Sequence, residues 1–207
     1  MNVVPIPNGA FAENSYLIID EQAGRCVIID PGQEPGLILH KVEQAGVQPD
    51  AIWLTHAHVD HVMGVGHIAA KTGVPISLHP ADRPLYDAAA AQAAAFGLAF
   101  TDKLPPPDRA FTPGEHVKVG ELSFEVRHAP GHSPGSVCLY APALRVVFSG
   151  DTLFRGGPGA TGRSYSNHDT IIRSITGRLL DLPPETVVHT GHGEDTTIGA
   201  ESGSISR

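Results

Sequence analysis

Four side chains able to bind a metal, His56, His58, Asp60 and His61, fall within one short run directly after the apolar segment Ala51–Leu54. Imidazole and carboxylate together suit zinc, and equally iron or manganese. A turn at the end of a strand can aim several of them into one space. Four donors from so short a segment exceed what one tetrahedral site would take from it, so they divide better between two ions. The competing reading is a polar surface loop that happens to hold histidines. Three further candidates also sit where strand-like runs end. His132 lies in the Pro/Gly-rich turn Ala129–Gly135, Asp151 follows Val146–Phe148 in Ser149-Gly150-Asp151, and His192 follows Val187-Val188 in Thr190-Gly191-His192-Gly193. Glycine beside each lets the backbone bend closely around an ion. Singly each reads as a turn residue; beside the first cluster, each reads as a ligand.

The elements that must position these residues alternate in type. Ser15–Ile19 and Arg25–Ile29 are rich in β-branched and aromatic residues, with a hairpin loop at Asp20–Gly24 between them. Apolar residues at helical spacing mark Leu37–Ala45, and Gly46 supplies the stop. Ala51–Leu54 and Val74–Leu78 are strand candidates, with a helical pattern over Val62–Lys71 between them and Gly73 beyond it. Ala81–Phe100 is Ala-rich and reads as one or two small helices; Lys103–Pro107 is a Pro-rich loop. Strands return at His116–Val119, Leu122–His128, Ser136–Tyr140 and Val146–Ser149, followed by a helix over Thr170–Leu182 and a last strand at Thr186–Thr190. Asn167 and Asp169 fit the start of that helix, where their side chains can meet free backbone N–H groups. Strands interleaved with helices, through hairpins as well as crossovers, predict an α/β chain with mixed sheets.

Length and composition bound the function. At 207 residues, with 41% hydrophobic and 17% charged, the chain suits one globular domain over 1–207. A net charge of -8 without any basic run argues against nucleic acid, whose phosphates call for clustered Lys and Arg. The opening MNVVPIPNGAF lacks the charged segment and apolar stretch of a secretory signal, and no apolar run approaches the roughly 20 residues of a membrane span. Cys26 and Cys138 sit in apolar strand-like runs and read as buried inert thiols, so a cytoplasmic protein is expected.

THAHVDH, the GHSPGS turn, SGDTLF and TGHG, in this order, resemble the four metal-binding motifs of the metallo-β-lactamase superfamily, and NSYLI and IIDPG extend the likeness over nearly the whole chain. The resemblance implies an αββα sandwich of two mixed β-sheets flanked by helices, with a dinuclear site along one edge. By motif, His56, His58 and His132 would hold one metal, Asp60, His61 and His192 the other, and Asp151 would bridge them. Asp rather than Cys at the bridging position resembles the glyoxalase II-like branch. Little sequence follows His192, so the chain is similar to the short single-domain group that lacks the C-terminal helical domain of the glutathione site. After SGDTLF comes RGGPGATGRS, an expanded form of that group's Gly-rich segment.

The implied cofactors are two divalent ions, zinc in the first instance, with iron or manganese held by similar donors. The implied reaction is hydrolysis of a hydroxyacyl thioester of a small thiol by a hydroxide clamped between the metals, Asp60 ligating and holding the attacking water. Phe154, Arg163 and Tyr165 are candidates for substrate contact. His79 and His128 end strands and are candidates to approach the site, whereas His40, His67, His116, His168 and His189 read as structural or solvated. Two competitors stay open. One is a persulfide dioxygenase with a single iron on His56, His132 and Asp151; the other is a lactone hydrolase of the same superfamily. The partner in every case is a small molecule.

Overall fold

Apolar side chains on both faces of the first strands dictate a layered molecule. The structure, a computed structural model, describes residues 2–205. The first sheet runs β1 (Asn2–Asn8), β2 (Glu13–Asp20), β3 (Arg25–Ile29), β4 (Gln48–Trp53), β5 (Ile76–Leu78) and β6 (Arg109–Ala110), in that spatial order. β1 to β3 pair antiparallel, and β3 to β6 pair parallel through helical crossovers. The second sheet holds β7 (His116–Val119), β8 (Leu122–His128), β9 (Val137–Ala141) and β10 (Val146–Gly150). After a small ribbon of β11 (Leu153–Phe154) and β12 (Gly157–Pro158), it is completed by β13 (Val187–Thr190) and β14 (Thr196–Thr197), in the order β14-β13-β10-β9-β8-β7. β13 lies parallel to β10 and the other neighbours pair antiparallel, so both sheets are mixed.

The period-two pattern of the strands builds three apolar layers. Tyr16, Ile18, Val27, Ile29 and Trp53 face Phe124, Val126, Leu139 and Phe148 between the sheets. Trp53 and Phe124 meet edge to face at 5.4 Å. Burying such a side chain contributes roughly 2–3 kcal/mol. The opposite residues of the same strands, Leu17, Ile19, Ile28 and Ile52, pack on Ile38 and Val42 of α1 (Pro35–Ala45) and, past the short α2 (Val59–Val62), on Val65 and Ile68 of α3 (Val65–Thr72). Two small helices, α4 (Arg83–Asp87) and α5 (Ala89–Ala95), fill the Ala-rich stretch. Beyond the second sheet, Tyr140, Val147 and Val188 pack on Ile171 and Ile175 of α6 (His168–Arg178) and Ile198 of α7 (Ile198–Ile205). Helix, sheet, sheet, helix is the αββα sandwich. Cys26 and Cys138 are free and buried in different outer layers, and burial pushes both thiols up to about 12.

The helix expected over Val62–Lys71 is divided between α2 and α3, and the short β6, β11, β12 and β14 were not expected. Three further changes have a clear physical reason. The helix expected over Thr170–Leu182 starts earlier and ends at Arg178. Leu179 and Leu182 keep the apolar pattern going because the turn they form is itself buried. Asn167 caps this helix by accepting the Thr170 N–H at 2.9 Å. β1 was not expected: its Pro5 and Pro7 weaken a strand signal, but an edge strand tolerates them. α7 holds two Gly and two Ser, poor helix formers, and is retained by burial of Ile198 and Ile205.

The β8–β9 turn is pressed against the start of α6. Gly131 has φ +138°, and a Cβ there would overlap the backbone of Ile171. Gly131→Ala is therefore expected to cost about 3 kcal/mol, because strain and overlap add. Urea unfolding checks this; a loss below about 1 kcal/mol would remove the argument.

Candidate metal centre

One edge of the sandwich collects the strand ends. β3 and β4 run parallel in one sheet and β10 and β13 in the other. Asp30, His56, Asp151 and His192 follow these four strands, and His132 comes from the β8–β9 turn. His58 stands in extended conformation just before α2, whose single turn carries Asp60 and His61 back toward His56. The start of β2 holds the His192 loop. Asn14 donates to the carbonyls of Gly191, Thr190 and Gly193, and the Tyr16 hydroxyl donates to Thr190 at 2.7 Å.

The donors form three overlapping groups: His56, His58 and His132; Asp60, His61 and His192; and Asp30, His56 and His61. His56 Nε2 and His132 Nε2 stand 3.1 and 2.8 Å from His58 Nδ1, and His61 Nε2 is 3.3 Å from His192 Nε2. Asp151 lies between the first two groups. Its Oδ1 is 3.3 Å from His61 Nε2, and its Oδ2 is 3.4 Å from His132 Nε2 and 3.6 Å from His192 Nε2. Asp60 Oδ2 is 3.3 Å from His192 Nε2.

The outward nitrogen of every one of these imidazoles has its own acceptor. His56 Nδ1 meets the Thr55 hydroxyl at 3.1 Å, which in turn donates to Asp30 at 2.5 Å. His58 Nε2 meets the Tyr165 hydroxyl at 2.7 Å, His61 Nδ1 meets Asp30 at 3.1 Å, His132 Nδ1 meets the Ala160 carbonyl at 2.8 Å, and His192 Nδ1 meets the Phe11 carbonyl at 3.0 Å. These partners favour the proton on the outward nitrogen, so that a neutral ring turns a lone pair inward. Neighbouring lone pairs at about 3 Å have no proton to share; a cation between them satisfies all of them. Asp151 Oδ1 points the same way, buried with no hydrogen-bond partner. A Cβ on Gly191 would fill the space behind that oxygen. The donor set thus fits metal ions.

Charge follows the same geometry. Burial, then the neighbouring imidazoles, hold His56 well below the usual histidine range; burial and His132 push His58 down to about 3, and burial lowers His132. These rings are neutral, the form that ligates. Burial would lower His61 and His192, but Asp151 and Asp60 outweigh it and raise both. Burial would likewise raise Asp151, but the facing His61, His132 and His192 outweigh it and hold the carboxyl below its ordinary range.

The four residues of the THAHVDH run come together with His132, Asp151 and His192, each side chain within reach of the cluster. Arg163 lines the cleft above them, a cavity of about 210 Å³ whose floor includes His58, Asp60, His132 and Asp151. Tyr165 reaches His58 with its hydroxyl and the Phe154 ring stands 6.1 Å from His192, but neither is among the residues that line the cleft. His79 and His128 stack on each other at 4.1 Å, and neither belongs to a donor group among the described residues. Sequence reasoning missed the roles of Asp30, Thr55, Asp82 and Gln92. Asp82 accepts from Ala57 N–H at 2.9 Å, Ser133 Oγ at 2.7 Å and Gly135 N–H at 2.5 Å, tying the His56–His58 loop to the His132 loop. Only the IIDPG likeness pointed toward Asp30 and only the THAHVDH likeness toward Thr55; nothing local singled out Asp82 or Gln92.

The profile of the metallo-beta-lactamase superfamily matches residues 8–192. Hydroxyacylglutathione hydrolase GloC of Haemophilus influenzae is 37% identical over 99% of this chain and 96% of its own. Among solved structures, TTHA1623 in a di-iron-bound form superposes with a TM-score of 0.89 at 43% identity, covering 97% of this chain and 98% of its own. BLEG-1, a B3 metallo-beta-lactamase, gives 0.88 at 32% identity over 97% and 96%. The motifs, the two-sheet sandwich and the convergent donors agree with these matches: the chain belongs to the metallo-beta-lactamase superfamily and is a metallo-hydrolase by kind.

Proposed function

We propose that the chain binds two divalent metal ions and hydrolyses a hydroxyacyl thioester of a small thiol. His56, His58 and His132 hold one ion, Asp60, His61 and His192 hold the second, and Asp151 serves both. The observation that supports this reading is the set of five imidazoles with every outer nitrogen engaged and every inner nitrogen turned to one of two adjoining spaces, with Asp151 between. When bound, the ions supply an activated water at neutral pH and an electrophile for the carbonyl. Asp60, only partly buried at the cleft floor, would ligate and hold the attacking water in place by accepting a hydrogen bond from it. A thiolate leaves without a general acid because a thiol's pKa near 8.5 makes it a good leaving group. An amide nitrogen needs protonation, and among the described residues that line the cleft none stands out as the acid for it. The name of GloC supports a hydroxyacyl thioester. Zinc, iron and manganese suit the donors alike, and the di-iron form of TTHA1623 speaks for iron beside zinc. The free thiols suit a cytoplasmic compartment.

The test is hydrolysis of S-D-lactoylglutathione by metal-replete protein at neutral pH. A kcat/KM above roughly 10⁴ M⁻¹s⁻¹ is expected. A background rate, with turnover of a lactone or a β-lactam or oxygen uptake on a persulfide instead, overturns the thioester assignment. Tyr165→Phe tests the donor geometry separately. Losing the acceptor for His58 Nε2 is expected to weaken binding of one ion about 10-fold with the other unchanged, read by titration against a chelator. Equal loss at both ions, or none, counts against the role of Tyr165.

A further inference from the structure

β5 and β6 are parallel neighbours, and their last residues, Leu78 and Ala110, line a second recess of about 300 Å³. It shares no residue with the metal cleft. The carboxyl ends of parallel strands are a common place for small molecules, because the chain turns away there and leaves a crevice. The donors that follow β3 and β4 use two such ends of this sheet, and β5 and β6 supply two more. The volume suits a small ligand.

The side chains around this recess are donors short of acceptors. Arg109 has no carboxylate partner among the described residues. Arg83 gives its Nε to Asp87 at 2.7 Å, and both side chains are about half exposed. Such a pair in water holds weakly, so the guanidinium is free to take a second acceptor. His79 is held in place on two sides. Its Nδ1 accepts the Ala81 N–H at 3.4 Å, and its ring stacks on His128 at 4.1 Å. His128 is itself tied to the Pro134 carbonyl through Nε2 at 3.0 Å. Burial and then His128 push His79 down to about 4, so the ring is neutral. With Nδ1 accepting, its proton sits on Nε2, which has no partner among the described residues. Asp108 is the one carboxylate in the lining, and it already accepts the Ile76 N–H at 2.9 Å. Two guanidinium groups and an imidazole N–H thus outweigh one engaged carboxylate, in a chain of net charge -8. A local surplus of this kind draws an anion.

We propose that this recess is a second binding site, for a small molecule carrying a phosphate or carboxylate group, held by Arg83, Arg109 and the His79 Nε2–H. Guanidinium forks match the paired oxygens of either group. The stacked imidazole adds a donor whose direction is set before the ligand arrives. No metal donor takes part, so the site stands or falls independently of the reaction assigned to the cleft.

The test titrates zinc-loaded protein with inorganic phosphate and, separately, with succinate at neutral pH and constant ionic strength. NMR follows the ring signals of His79 and His128, which report the recess rather than anions taken up at the metal ions. Expected is a saturating shift with a Kd of about 1 mM or below. The anion that saturates tells which group the site prefers. Arg109→Met should weaken binding about 10-fold or more with bound zinc unchanged. The double variant Arg83→Met, Arg109→Met should abolish saturation. Shifts that grow linearly with both anions, or a Kd unchanged in either variant, overturn the site.

Discussion

Asp151→Asn is expected to lower turnover by about 10³-fold or more and to reduce the bound metal from two ions to one or none. Asp151 is the carboxylate shared by the two donor groups, with His61 on one oxygen and His132 and His192 on the other. Asparagine keeps the volume but removes the negative charge that offsets two cations. It also removes the carboxylate that His61, His132 and His192 face, a favourable interaction in the metal-free protein. The metal-free melting temperature should therefore fall, and the increment on adding metal should shrink as well. A 10³-fold rate loss corresponds to about 4 kcal/mol of transition-state stabilisation. Metal analysis, melting with and without metal, and kcat/KM decide it. A variant holding two ions at the wild-type rate would leave Asp151 without the role assigned to it.

Asp82→Ala is expected to be the most destabilising substitution away from the donor side chains. Asp82 is fully buried and takes three donors, the Ala57 and Gly135 N–H groups and the Ser133 hydroxyl. Burial pushes its carboxyl upward, and these hydrogen bonds pull it back. Alanine leaves the donors buried without an acceptor, each costing about 1–3 kcal/mol, of which the Ser133 hydroxyl recovers part through Ser136. A total of about 4 kcal/mol follows, a fall in Tm of roughly 10 °C for a chain of this size. Asp82→Asn keeps the shape and at least one of the bonds, and should lose about half as much. Alanine and asparagine variants both within 1 kcal/mol of wild type would mean that the loops are held together by something other than Asp82.

What was legible in the sequence was chemistry carried by contiguous residues. The THAHVDH run, the GHSPGS turn and the glycine-flanked Asp151 and His192 announce themselves because ligand types and turn formers stand side by side. The partners that orient them do not. Asp30 serves His61 from 31 residues away, Tyr165 serves His58 from 107, and the Phe11 carbonyl serves His192 from 181. A backbone carbonyl leaves no mark on residue type at all. Arg163 was singled out by its place after the Gly-rich segment, whereas nothing in the sequence set Phe11 or Phe96 apart until the fold left them partly in water. Strands with regular alternation were readable; β1 and α7 were not, because prolines and glycines obscure elements that tertiary burial secures.

The convergence of the donors on one edge also sets the order of assembly. His61 and His192, whose inner nitrogens stand 3.3 Å apart, are separated by 131 residues of chain and come from different halves of the sandwich. No local nucleus can bring them together, since closing so long a loop costs entropy that only the packed sheets repay. The donor edge is thus expected to form late in folding, once residue 192 has been made and both sheets have docked. On the proposed metal-binding reading, ion capture then acts as a latch on a finished structure and is expected to slow its opening.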